Sequence, residues 1–365
     1  MNYESDLIYK IAISQIKGVG DITAKKLISH CGSAEAVFKE SKESLEKIPN
    51  FNRNIIDSIN SSEILKQAEK EIEFMMKNSV NHLFYTDKKY PNKLKLCADS
   101  PINIYYKGDM DWNNNRFISV VGTRKCTQFG KEFTENLISE LREYNVVIVS
   151  GLAFGIDIAS HKEALKNNLD TVAVLAHGLD RVYPSQHAKI AKDITENGAL
   201  LSDYISGTNS DRQNFPSRNR IIAGLSDATI VVESSKKGGS LITADIANSY
   251  NRDVFAVPGK PIDKQSEGCN YLIKSHQAIL LDSVNDIVKN LNWDVQEKHV
   301  QQSLFISLSD EEQKITDLLS VKPLHIDEIK QKLNWTSSKI SKHLLGMEFK
   351  SIILSLPGKI YKRRM

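Results

Sequence analysis

The chain has 365 residues, 41% hydrophobic and 25% charged, enough apolar content for two or three packed domains and too much for a disordered chain. Its 48 Lys and Arg against 45 Asp and Glu leave a formal charge of only +3, so a polyanion must be met by a local patch and not by a basic coat. The opening MNYESDLIYK has no apolar signal core, no run of 18 apolar residues occurs, and the four cysteines lie far apart without a C-x-x-C pair; the expectation is a cytoplasmic protein with no membrane span, disulfide framework, zinc ribbon or redox motif.

Residues 1–85 are rich in Lys, Glu, Ile and Leu, with apolar positions at helical spacing in stretches such as Ile64, Leu65, Ala68, Ile72, Met75 and Met76, and read as a small all-helical domain. Inside it, Ile16 to Leu27 (IKGVGDITAKKL) predicts a helix, a Gly18-Val19-Gly20 hairpin and a second helix with Ala24 and Leu27 inward. Two readings stand: backbone N–H groups at that helix start accept a phosphate, or the glycines merely close an αα-hairpin. Residues 86–291 change texture to seven short β-branched runs, FISVVG (117–122), VVIVS (146–150), TVAVL (171–175), ALLS (199–202), ATIVVE (228–233), DVFAVP (253–258) and AILL (278–281). Most lack polar alternation and are separated by helical segments, which indicates a parallel sheet buried on both faces, a Rossmann-like core. Residues 292–308 are polar and weakly periodic and read as a linker. In 309–365, Ser309 with Glu312 marks a capping box, further helices begin near Ile326 and at Thr336, and Ile352 to Leu356 with Ile360 and Tyr361 form a two-stranded wing. This is a winged helix, and with eleven Lys and Arg against seven Asp and Glu it holds the excess positive charge.

Four loops of the core carry residues suited to binding an anion. FISVV runs into Gly122-Thr123-Arg124 at the edge where ligands meet a parallel sheet; the G-x-G-x-x-G fingerprint is absent, and Arg124 offers a planar fork for a phosphate or base edge. The next strand ends in Ser150-Gly151-Leu152-Ala153-Phe154-Gly155-Ile156-Asp157, where glycines allow close approach and Asp157 either serves a ligand or stabilises the helix start. Asn214 to Ser226 (NFPSRNRIIAGLS), with Arg212 upstream, interleaves Phe215 with Arg218 and Arg220, the mixture of phosphate-binding and stacking groups that single-strand binding requires; Arg220 beside Ile221-Ile222 reads better as a buried residue holding loops together. Lys236-Lys237-Gly238-Gly239-Ser240 precedes a helix and reads as an anion cradle.

Taken together, VGTR, SGLAFGID, HGLD-x-VYP, FPSRNRIIAGLS, GGSLITA and AVPG followed by GCNYLI resemble, in order and spacing, the bacterial DNA-processing protein A (DprA, or Smf) family. The resemblance implies a Rossmann-like core flanked by an N-terminal helix-hairpin-helix or SAM-like domain and a C-terminal winged helix. It implies a protein without catalytic residues, cofactor or metal that binds single-stranded DNA, forms homodimers and loads the RecA recombinase in natural transformation. Carried over to this chain, the strand pocket uses Arg124, Phe215 and Arg212. Gly122, Gly151, Arg218, Lys237, Gly238, Gly239 and Ser240 complete the expected nucleic-acid site. Some members place a lysine where this chain has Ser185, which removes one phosphate contact, and the usual Ser-Gly-Ser cradle here reads Gly238-Gly239-Ser240.

Two other functions compete. A nucleotide phosphoribohydrolase of similar fold would carry Pro-Gly-Gly-x-Gly-Thr-x-x-Glu; Gly238-Gly239 and Asp245 align with it, but Leu241 and Ile242 replace Gly-Thr, and no paired acids are visible. A sequence-specific regulator would read DNA through the winged helix, with Ser337, Ser338, Lys339 and Lys342 toward the groove.

Overall fold

The structure, a computed structural model, describes residues 5–48, 53–59, 62–113, 115–293, 309–350, 352–356 and 358–363. It divides into two compact units, 1–294 and 295–365. Residues 294–308, most of the expected linker, lie outside the described residues.

The first unit opens with helix Ser5–Ala12, a 3-10 turn Ile13–Gln15 and helix Asp21–Cys31, followed by shorter helices and the long helix Ser62–Asn78. The glycine hairpin forms as expected: Gly18 takes a left-handed φ of +83°, Val19 N–H donates to the Ile16 carbonyl at 3.0 Å, and Ala24 and Leu27 are fully buried. On the long helix Ile64, Ala68, Ile72 and Met75 point inward, whereas Met76 is exposed. The stretch read as all-helical ends in a strand, β1 (Asn81–Phe84), which pairs antiparallel with β2 (Asn103–Gly108). These helices and one face of the sheet share a continuous core that joins Ile11, Leu27 and Ile72 to Ala173, Leu175 and Leu200.

All seven expected runs are strands: β3 (Arg116–Val121), β4 (Val146–Ser150), β5 (Thr171–Val174), β6 (Gly198–Ser202), β7 (Ala228–Val231), β8 (Asp253–Ala256) and β9 (Ile279–Leu280). Their order is β1-β2-β6-β5-β4-β3-β7-β8-β9, with β6 to β9 mutually parallel and only the β1–β2–β6 edge antiparallel. Every residue of β4, β5, β6 and β7 is buried, because helices cover both faces. From β3 the chain steps outward through β4, β5 and β6, then returns to the other side of β3 for β7, β8 and β9. The β3/β7 junction is therefore the topological switch point, where successive connections diverge and leave a crevice at the strands' C-terminal ends. Trp293, which the sequence assigns to the linker, instead packs on this unit, buried, with the Arg116 guanidinium carbon 5.0 Å from its ring centre.

Beneath that crevice His161, on helix Ile156–Lys166, is fully buried and its Nδ1 lies 2.7 Å from the Thr171 hydroxyl. Thr171 donates that hydroxyl's proton to the Ile148 carbonyl, so the ring must be the donor, held as a neutral Nδ1–H tautomer. Burial, with the charge of Arg218, pushes its pKa down from 6.5 to about 3. The unfolded chain takes up this proton as pH falls through 6.5, while the folded chain does so only near 3. Stability is thus full above pH 6.5 and is lost on acidification by about 1.4 kcal/mol per pH unit in that window. Burial also lowers His82, to about 4, so urea melts between pH 7 and 4 should show a steeper total slope, of which His161→Gln should remove about 1.4 kcal/mol per pH unit.

The second unit contains helix Asp310–Val321, β10 (Leu324–His325), helices Ile326–Leu333 and Ser337–Phe349, and the wing β11 (Ile353–Leu356) and β12 (Ile360–Arg363), in sheet order β10-β12-β11. The capping box is present: Ser309 Oγ accepts from Glu312 N–H and the Glu312 carboxylate accepts from Ser309 N–H. Thr336 caps the third helix. Ile315, Leu319, Ile329, Ile340, Leu344, Met347 and Ile353 form its core.

Candidate nucleic-acid interface

A cavity of about 270 Å³ opens at the switch point, walled by the segments that follow β3 and β7 and by helix Asn214–Leu225. Gly122, Arg124, Phe215, Arg218, Gly238, Gly239 and Ser240 all line it, so seven of the ten expected residues, scattered over more than a hundred positions of sequence, share one site. Arg212 lines a neighbouring shallow depression that meets the cavity at Pro216. Gly151 and the exposed Lys237 fall outside the lining.

Arg124 is exposed at the mouth. Its loop is fixed from below: Thr123 N–H donates to the Glu233 carbonyl at 2.8 Å, and the Thr123 carbonyl accepts from Ile156 N–H at 3.3 Å. Gly155 makes that contact possible, since with φ +79° any Cβ there would run into the Thr123 carbonyl oxygen. The Arg124 guanidinium carbon stands 5.3 Å from the centre of the half-buried Phe215 ring, a cation–π geometry. Tyr183, 48% exposed, also lies beside Phe215, with ring centres 6.0 Å apart and the planes tilted. Asn214 anchors this aromatic pair by donating to the Ala176 and Asn209 carbonyls. Tyr183 is the residue missed from sequence; it stands in the quoted HGLD-x-VYP motif, but only the fold brings it to Phe215.

Arg218 behaves differently from Arg124. It is 4% exposed, and its guanidinium donates to the Gly151 carbonyl at 2.9 Å, to the Val174 carbonyl and to Asn219 Oδ1. Burial lowers its pKa to about 10, an effect opposed by the Asp157 carboxylate, so it stays charged at neutral pH. The Asp157 carboxyl is raised by burial and held back by Arg218, and it accepts from Ala153 N–H. Gly151 makes room for Arg218, since a Cβ would stand 2.6 Å from the guanidinium. Arg220, two residues on, is a structural residue as its apolar neighbours suggested: it pairs with Asp21 at 3.0 Å and Asp203 at 2.6 Å and donates to the Asp99 carbonyl.

The cavity's far wall is the start of helix Gly239–Ser249, whose N-cap, Gly238, has no side chain to cap it. Gly238 and Leu241 N–H are taken by the Ser235 and Gly238 carbonyls, which leaves the Gly239 and Ser240 N–H groups, with the positive end of the helix, to favour an anion. Ser240 donates to Ser234 at 2.9 Å. Ile242, 42% exposed, occupies the lining where a phosphoribohydrolase would have its threonine, and Asp245 is exposed outside the lining. Among the described residues no helix is long and apolar enough to cross a membrane and no cluster of His, Cys, Asp and Glu is arranged to hold a metal ion.

An anion-accepting crevice at the switch point of a Rossmann-like sheet, rimmed by an arginine and two aromatics and followed by a winged helix, defines a nucleotide- or nucleic-acid-binding α/β protein. The chain belongs to the DNA recombination-mediator protein A family, whose model matches residues 81–292, and a DprA winged helix domain model matches residues 305–359. It is 36% identical over 291 residues to Protein Smf of Synechocystis, covering 79% of this chain and 73% of that one. Its fold is similar to the X-ray structure of DNA processing protein A from Streptococcus pneumoniae, with TM-score 0.63, 31% identity and coverage of 77% of this chain and 97% of that chain. It is also similar to DNA processing protein A from Helicobacter pylori, studied for its single-stranded DNA binding mode, with TM-score 0.53, 28% identity and coverage of 58% and 95%.

Proposed function

We propose that this recombination mediator binds single-stranded DNA at the switch-point cavity. The observation that carries the reading is the Arg124–Phe215–Tyr183 row at the mouth of an uncapped helix start. A phosphate would lie against the Gly239 and Ser240 N–H groups, with Arg124, Arg212 and Lys237 contributing charge from the rim. An unstacked base would lie on Phe215. Arg218 adds positive charge beneath the floor while its donors hold the loops after β4 and β5 together. Base-paired DNA keeps its bases stacked inward and presents no face to Phe215, which is why the site favours a single strand.

From family membership we infer the further steps: the protein forms homodimers, which place two cavities on one assembly and raise avidity, and it loads RecA on DNA coated by a single-strand-binding protein during natural transformation. It acts by binding and not by catalysis. Light scattering should give a dimer mass, and strand-exchange assays should show RecA displacing the coating protein faster when this protein is added; a monomer that leaves strand exchange unchanged would contradict both.

The binding site itself is tested by salt. Affinity for an oligonucleotide should fall with a log-log slope of about −0.7 per neutralised phosphate, and Arg124→Ala should make the slope shallower by about 0.7. An unchanged slope in that variant would remove Arg124 from the contact.

A further inference from the structure

The C-terminal edge of the sheet continues past the Thr123–Thr127 loop to a second, larger cavity of about 580 Å³ beyond the ends of β7 and β8. Phe129, the second residue of helix Gln128–Leu141, is 52% exposed in its wall; Phe133 backs the ring at 6.1 Å between centres. Ile262, opposite in the same lining, is 87% exposed. Two large apolar side chains left in solvent beside one cavity form a platform for a flat apolar ligand. Lys260 and Lys264, both exposed, belong to the same wall.

Two carboxylates also line it. Glu233 is 2% exposed, and both its oxygens are taken by the Thr127 N–H and hydroxyl, so it braces the helix start; Asp263 is exposed at the rim. The Gln265 amide oxygen is buried in this wall without a hydrogen-bond partner. Every nucleobase presents an N–H donor on its edge that such an acceptor can take. The two cavities are neighbours: Glu233 joins them, its carbonyl holding Thr123 under the first and its carboxylate lining the second. With strands about 4.8 Å apart, one or two strand spacings separate them, roughly 5–10 Å, within reach of adjacent nucleotides of one chain.

We propose that this cavity is a second stacking subsite for the same single strand, which runs from Phe215 past Arg124 to a base on Phe129, its phosphates met by Lys260 and Lys264. The proposal rests on the single-strand reading of the first cavity.

Labelled thymidine 5′-monophosphate, too short to bridge the two cavities, and a labelled oligothymidylate of about 20 nucleotides, titrated into the full chain, separate the two claims. Phe129→Ala is expected to weaken the oligonucleotide about ten-fold and the mononucleotide less than two-fold, whereas Arg124→Ala weakens both. Lys260→Glu with Lys264→Glu should make the salt slope shallower by about 1.4 for the oligonucleotide alone. Phe129→Trp should keep affinity and show its fluorescence quenched by the oligonucleotide. Unchanged oligonucleotide binding in Phe129→Ala, with Arg124→Ala impaired, would overturn the subsite and leave the first cavity standing. Equal losses for both ligands, accompanied by a change in mass by light scattering, would make this face an interface between copies instead. No binding of either ligand by the wild-type chain would overturn both readings.

Discussion

Arg220→Ala is expected to destabilise the first unit by about 3–5 kcal/mol, the cost of breaking a buried ion-pair cluster from one side. Arg220 side-chain exposure is 15%, and its guanidinium answers Asp203, at 9%, Asp21, at 26%, and the Asp99 carbonyl. Burial raises the Asp203 carboxyl and Arg220 holds it back; without the guanidinium, a carboxylate with one oxygen already unpartnered is left in a dry site. Asp21 begins the helix of the glycine hairpin, and its other oxygen accepts from Ile102 N–H at 2.9 Å. The same arginine thus ties the N-terminal helices to helix Asn214–Leu225, which presents Phe215. Urea unfolding should show the loss, and hydrogen exchange should accelerate first in helix Asp21–Cys31. A change below about 1 kcal/mol would mean that the pairs are solvated and weak.

Phe215→Ala is expected to cost about 1–3 kcal/mol of single-strand affinity, from lost base stacking, with urea midpoints unchanged because the ring is half-exposed at a helix start. Arg124→Ala removes a phosphate partner and the cation over the Phe215 ring. Because the two side chains touch, the double variant should lose less than the sum of the single losses. Oligonucleotides of different sequence should suffer alike, since neither group reads base edges. Wild-type affinity in both folded variants would place the strand elsewhere.

The parallel core was legible because strands buried on both faces are nearly continuous apolar runs, and seven such runs stood between helical segments. β1 and β2 were not. Asn81–Phe84 is four residues long, directly follows the helical stretch ending at Asn78 and carries two polar residues, so no period of two could emerge. Trp293 was hidden for a related reason: its partners Tyr144 and Arg116 lie roughly 150 and 180 residues earlier, and Asn292 and Asp294 flank it. At the site, glycines and arginines after strands marked the right loops, since ligands meet parallel sheets there. Composition could not separate arginines by depth. Arg124, Arg218 and Arg220 look alike in sequence, yet one is exposed, one is caged by carbonyls and one is neutralised by aspartates. Only the Ile221-Ile222 neighbours hinted at the last. Phe129 and Ile262 gave no signal, because single exposed apolar residues are common and their proximity is created by the fold.

The account turns on a site built for an unstacked base. Fluorescence anisotropy with one labelled oligonucleotide, free and annealed into a blunt duplex, at a single salt concentration measures that directly. Binding at least ten-fold tighter to the single strand is the predicted result; equal affinity for the duplex would contradict it.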